Sequence, residues 1–134
     1  MTTVLVIDDD PTNCQLVKTI LQHAGYRVIH AGGGEEGLHM FRTHAVDVVI
    51  TDILMPGTDG LAVIRELLTT APDTRIIALS GGGMMLTAET SLQVARKTGA
   101  FESLAKPFVR QALLDVVKRV LHTPPAESGN PGIP

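Results

Sequence analysis

The chain has 134 residues, enough for one domain with one core. Hydrophobic residues make up 44 % and aromatics only 3 %, with a mean hydropathy of +0.21, so the interior has to be built from Val, Ile, Leu, Ala and Met, which suits an aliphatic parallel sheet. With 11 Lys and Arg against 14 Asp and Glu, the net charge is −3 and no basic run interleaves with aromatics, which argues against direct nucleic-acid binding.

No apolar run approaches the roughly 20 residues of a membrane span, and the opening "MTTVLVIDDD" lacks a basic stretch followed by a cleavable apolar segment. The expectation is a cytoplasmic protein without a membrane partner. Cys14 is the sole cysteine, which excludes an intramolecular disulfide and fits a reducing compartment; it is expected to be a small buried or half-buried helix residue.

Residues 3–7, "TVLVI", form a continuous β-branched run that predicts a strand buried on both faces. Three aspartates and Pro11 close it, and a helix is expected from Pro11 or Thr12, capped by Asp10, with Leu16, Ile20 and Leu21 on its apolar side and Gly25 as its stop. A second strand over 26–31 leads to a helix over 35–43 with acids in its first turn, where the helix dipole favours them. A third strand is expected over 45–51, then a helix over 60–70 capped by Asp59. A fourth strand over 74–80, a helix over 86–99 ending at Gly99, a weaker strand over 101–105 and a helix over 109–121 complete the pattern. Five strand-then-helix units with right-handed crossovers give a doubly wound parallel sheet with helices on both faces. The segment 122–134, with four prolines and two glycines, has nothing to bury and reads as a flexible end with no output domain after it.

In an open parallel sheet, ligands bind beyond the carboxyl ends of the strands. The residues expected there are Asp8, Asp9 and Asp10, then Asp52, Ser80 and Lys106. Carboxylates that converge repel one another unless a cation sits between them, and Mg²⁺ takes oxygen ligands of this kind. A lysine and a hydroxyl facing the same spot are what a phosphoryl group needs, which makes Asp52 a candidate nucleophile forming an aspartyl phosphate. Taken singly, an aspartate after a strand is usually a turn residue or a helix cap, and "KP" carries almost no information. The weight lies in their order along the chain.

Together, "VIDDDP", "ITDILMPGTDG", "IIALSG" and "LAKPF" resemble the receiver domain of two-component response regulators, over residues 3 to about 121. The resemblance implies a flavodoxin-like α/β fold: a doubly wound five-stranded parallel sheet of order 2-1-3-4-5 flanked by five helices. Residues 1–122 would be the receiver domain and 123–134 a flexible Pro/Gly-rich tail, the receiver standing alone. It further implies that Asp8 and Asp9 hold Mg²⁺ with Asp52, the phosphoacceptor, and with the backbone carbonyl of Leu54. Ser80 and Lys106 would contact the phosphoryl group, and the peptide between Lys106 and Pro107 would be cis.

Two departures mark the switch region. The family usually carries Tyr or Phe three residues before the lysine, and here that position is Ser103; Phe101 lies two residues earlier with the same side-chain parity. After Ser80 the family usually has Ala, where this chain has "GGGMM" from Gly81 and Gly82 onward, a backbone free enough to carry the switch without a ring.

Other motifs compete poorly. "GGGEEG" over 32–37 satisfies G-x-G-x-x-G, with Asp52 twenty residues beyond Gly32. Yet Glu35 and Glu36 would sit where a pyrophosphate belongs, and the motif follows the second strand rather than the first. "GGGMM" is not followed by the Lys-Ser/Thr pair of a phosphate-binding loop. His23, His30, His39, His44 and His122 lack metal-ligand spacing and are expected at the surface, and Met84 and Met85 are expected in loop or core packing.

The expected function is a switch that accepts a phosphoryl group from a phosphohistidine of a sensor kinase or phosphotransfer protein onto Asp52 with Mg²⁺. A downstream protein or a second receiver would dock on helix four, strand five and helix five, about residues 86–121. The alternative is a degenerate receiver acting as a phosphorylation-independent interaction module. A phosphatase with an aspartate nucleophile would usually place a second acid two residues on, where this chain has Leu54. At most slow self-dephosphorylation is therefore expected, not an enzyme; Leu54 and Gly82 occupy the family positions that tune it.

Overall fold

The structure is a computed structural model and describes residues 1–55, 58–80 and 102–122. Gly81, Gly82, Met84, Met85, the expected helix over 86–99, Phe101 and the segment 123–134 lie outside the described residues.

Elements follow in the order β1 (Thr3–Ile7), α1 (Pro11–His23), β2 (Arg27–Ala31), α2 (Gly34–Thr43), β3 (Val48–Asp52), β4 (Leu54–Met55), β5 (Thr58–Asp59), α3 (Gly60–Thr70), β6 (Arg75–Ser80), β7 (Glu102–Ala105) and a last described helix, Arg110–His122. The sheet runs β2-β1-β3-β6-β7, every pair parallel, while β4 and β5 form a separate two-residue antiparallel ladder. Counting the strands of the large sheet alone, this is the expected order 2-1-3-4-5.

Alternation along the strands divides the core into two layers. Val4, Val6, Val48, Ile50, Ile77 and Leu79 pack with α1 and the last helix, through Val17, Leu21, Leu113 and Val117. The intervening residues Leu5, Ile7, Val49, Ile76 and Ala78 pack with α3, through Val63, Ile64 and Leu67. Because both faces are covered, β1 and β3 are buried at every position, which is why they read as unbroken apolar runs.

Three details differ from the sequence reading. Leu16 is 49 % exposed, and the buried stripe of α1 is Cys14, Val17, Ile20 and Leu21. The third strand starts at Val48 rather than residue 45, because Asp47 turns aside to pin the start of β1: its Oδ2 accepts from the Thr3 N–H at 2.8 Å and its own N–H donates to the Thr3 carbonyl at 2.9 Å. Val109 precedes the last helix rather than opening it and is 69 % exposed. All five histidines are exposed, as expected.

Candidate phosphoryl and metal site

The two-residue period of the strands builds the site. Val4 and Val6 face the layer of α1 and the last helix, and Asp8 stands two residues further on. Ile50 is followed at the same interval by Asp52, and Leu104, which packs against the same layer, by Lys106. Three charged side chains at the ends of β1, β3 and β7 therefore reach the same rim. Asp8 is 1 % exposed and Asp52 5 %, whereas Asp9 is exposed. Each of these three carboxylates offers an oxygen, and those oxygens all lie within 4.8 Å of one another. Lys106 Nζ donates to Asp52 Oδ2 at 2.9 Å and lies 3.5 Å from Asp8 Oδ2.

The start of α1 holds Asp8 in place. Its Oδ1 accepts from the Asp10 N–H at 2.9 Å, and its Oδ2 accepts from Asn13 Nδ2. Asp10 is the N-cap as expected, accepting from the Thr12 N–H at 3.0 Å with Pro11 in the first turn. Cys14 is buried, and its Sγ donates to the Asp8 carbonyl at 3.3 Å. Burial first, then the charges of Asp8 and Asp10, push that thiol up to about 11, so it is protonated and inert at neutral pH.

A glycine sets the turn after β3. The Gly60 N–H donates to the Ile53 carbonyl at 3.0 Å, and a Cβ at Gly60 would lie 2.3 Å from the Asp52 carbonyl oxygen and 2.6 Å from both Ile53 Cα and the Ile53 carbonyl oxygen. The start of α3 thus presses directly on the backbone that carries Asp52. Leu54 opens β4 two residues beyond Asp52, Ser80 ends β6 opposite Ala105 and next in line to Lys106, and Ser103 sits in β7 opposite Ala78. The Lys106–Pro107 peptide is cis. Asn13 and Gly60 escaped the sequence reading. The signal for Asn13 was its place in the first turn of a helix entered straight from Asp8. Gly60 shows itself only once the turn is folded.

The glycine-rich decoy resolves differently. The Gly32 N–H donates to Glu36 Oε1 at 2.9 Å, so the helix's own carboxylate takes the place an anionic ligand would need.

Burial alone would lower the Lys106 ammonium. The hydrogen bond and charge of Asp52, with Asp8 behind it, outweigh burial and hold it above its ordinary 10.5. A raised cation contributes stability that is fully present below pH 10.5 and is lost as pH climbs through the higher folded value. Alkaline denaturation without added metal should therefore show a loss of stability above pH 10.5 that is absent from a Lys106→Met variant. Equal alkaline slopes for the two proteins would contradict the pairing.

A family model described as the response regulator receiver domain matches residues 4–118. The chain belongs to that family. Relatives include the DNA-binding transcriptional regulator NtrC of Azospirillum brasilense, 36 % identical over 126 residues that make up 92 % of this chain and 25 % of the relative. The probable transcriptional regulator ycf27 of Porphyra purpurea is 34 % identical over 131 residues, covering 98 % of this chain and 52 % of the relative. The chain thus spans between about a quarter and about half the length of these relatives. Among solved structures, the response regulator receiver domain protein from Clostridium thermocellum matches with a TM-score of 0.82 at 35 % identity, covering 90 % of this chain and 94 % of that one. The response regulator TrrA of Thermotoga maritima, solved in complex with Mg(2+)-BeF, matches with a TM-score of 0.76 at 35 % identity, covering 90 % and 99 %.

Receiver domains are signalling switches with a phosphoacceptor role, and they bind Mg²⁺ at an acidic pocket. The residues here fit such an ion: the donor set is all oxygen, one oxygen each of Asp8, Asp9 and Asp52 lies within 4.8 Å of the others, and Lys106 pairs with Asp8 and Asp52 beside them. No helix among the described residues is long and apolar enough to cross a membrane.

Proposed function

We propose that this receiver domain takes a phosphoryl group from a phosphohistidine of a sensor kinase or phosphotransfer protein onto Asp52, with Mg²⁺ held by Asp8, Asp9, Asp52 and the Leu54 carbonyl. The observation that carries this reading is the hydrogen bond from Lys106 to Asp52 inside a cluster of three carboxylates at the carboxyl end of the sheet. β3, paired on both sides, holds Asp52 rigidly at the rim. An Asp52 carboxylate oxygen bonds to phosphorus as the phosphorus–nitrogen bond of the donor breaks, and the imidazole leaves with the electron pair and takes up a proton. Lys106, already at the acceptor oxygen, meets the charge of the incoming phosphoryl oxygens without reorganising, and Ser80 offers them a hydroxyl. When bound, Mg²⁺ supplies charge neutralisation between the carboxylates and the phosphoryl group.

The aspartyl phosphate then hydrolyses slowly, since the position two residues after Asp52 is Leu54 rather than a second acid. Output passes through about residues 86–121 to a downstream protein or a second receiver, in a cytoplasmic setting.

Incubation with acetyl phosphate and Mg²⁺ should add the mass of one phosphoryl group to the intact protein, with no gain in an Asp52→Asn variant or in EDTA. A gain that survives in Asp52→Asn would remove the site assignment. No gain in the wild type would favour an interaction module that works without phosphorylation.

A further inference from the structure

The first turn of α1 grips both oxygens of the Asp8 carboxylate. Oδ1 accepts from the Asp10 N–H at 2.9 Å, and Oδ2 accepts from Asn13 Nδ2. Lys106 Nζ stands 3.5 Å from the same Oδ2, and the Asp8 carbonyl is tied to Cys14 Sγ. Oδ2 is thus covered from two sides, while Oδ1 keeps a lone pair to give. Turning the carboxylate about its own axis would break the Asp10 and Asn13 bonds together. The Asp8 side chain is 0 % exposed, so no bulk water stands ready to replace them.

Of these contacts, Asn13 makes the one that depends on its side chain and serves Asp8 alone. The Asp10 donor is a backbone N–H that almost any residue supplies. Lys106 is shared with Asp52, at 2.9 Å, and is the group that incoming phosphoryl oxygens would claim. Asn13, half-buried, has no other hydrogen bond among the described residues.

What that bond decides is how many oxygens Asp8 offers to one ion. Mg²⁺ takes about six oxygens in a near-ideal octahedron at roughly 2.1 Å, so a carboxylate giving one fixed oxygen suits it. Ca²⁺ takes about six to eight at roughly 2.3–2.6 Å and accepts carboxylates through both oxygens. We infer that Asn13 sets the cation preference of the site: by occupying Asp8 Oδ2 it keeps Asp8 from chelating with both oxygens, which favours Mg²⁺ over Ca²⁺. The inference rests on the proposed place of Asp8 among the Mg²⁺ ligands. Asn13 is a positioning residue that acts through Asp8 and touches neither the ion nor the phosphoryl group. Without its amide, Asp8 is free to turn; Ca²⁺ gains a ligand oxygen, and Mg²⁺ loses a fixed one.

The test is calorimetric titration of the whole chain with MgCl₂ and, separately, CaCl₂, with melting curves in EDTA to follow the fold of each variant. Outer hydrogen bonds to metal ligands are worth about tenfold or more in affinity, so in Asn13→Ala the ratio of the Ca²⁺ to the Mg²⁺ dissociation constant should fall about tenfold. Asn13→Leu also lacks the donor and should move the ratio the same way, although it adds volume where alanine removes it. Gln15→Ala, two residues along α1 at an exposed side chain bonded to Thr19, should keep the wild-type ratio. Equal weakening of both cations, an unchanged ratio, opposite shifts in the two Asn13 variants, or an equal shift in Gln15→Ala would each overturn the inference while leaving the Mg²⁺ site standing. A wild type that binds neither cation would remove the site itself, and this inference with it.

Discussion

Replacing Lys106 by alanine is expected to lower the stability of the metal-free protein and at the same time tighten Mg²⁺ binding. Asp8 and Asp52 are almost wholly buried, and the lysine is the positive charge that the described ion pairs place between them. Removing one partner of a buried pair costs about 3–5 kcal/mol because the charge left behind stays buried without that partner. The Lys106 side chain retains 22 % exposure, so water relieves part of that, and roughly 2 kcal/mol is the expected loss. The three carboxylates, no longer sharing their charge with an ammonium, should then attract a divalent cation more strongly. Melting curves in EDTA and in Mg²⁺ check both halves: the variant should fall below wild type in EDTA and gain more from Mg²⁺. Phosphorylation by acetyl phosphate should slow nonetheless, because the group that meets the phosphoryl charge is gone. Equal melting temperatures in EDTA would contradict this account of the ion pair.

Gly60→Ala is the second large effect. The atoms a Cβ would meet, at 2.3 and 2.6 Å, belong to the backbone of Asp52 and Ile53 and cannot swing aside as a side chain does. Either α3 withdraws from the sheet or the end of β3 moves. The first opens the core around Val63, Ile64 and Leu67; the second displaces the carboxylate at the centre of the site. Overpacking of this kind costs about 1–3 kcal/mol, and the backbone contacts put Gly60→Ala at the upper end. Urea denaturation should show that loss, with Mg²⁺ affinity falling in parallel. A variant as stable as wild type, binding Mg²⁺ equally well, would show that the turn can relax and that Gly60 does not position Asp52.

These two residues also show where reading the chain succeeds and where it stops. Asp8 and Asp52 were legible because each stands at the end of a strand that advertises itself as an apolar or β-branched run, and strand ends are where open parallel sheets keep their chemistry; Lys106 follows a weaker strand and was legible through the order of the motifs. The alternation of strands and helices implied a parallel sheet, and its order came from the family resemblance. Gly60 was quoted within "MPGTDG", but its role depends on how closely α3 approaches the Ile53 backbone, a tertiary distance that no local pattern encodes. Asp47 lies inside the run expected as the third strand, and its carboxylate instead binds the backbone of β1, forty-four residues away in sequence. Leu16 fitted the apolar spacing of α1, yet the helix is rotated so that Cys14 and Val17 take the buried positions. The β4–β5 ladder, two residues on each side, is too short to leave a period.

The central claim is that Asp52 carries the phosphoryl group, and chemical trapping at residue resolution tests it most directly. Borohydride reduces an acyl phosphate to the alcohol, so protein treated with acetyl phosphate and Mg²⁺ and then with borohydride should yield a peptide with homoserine in place of aspartate at position 52. The same conversion should be absent without Mg²⁺. Homoserine at position 8 or 9 instead, or a phosphorylated protein that yields none, would contradict the account.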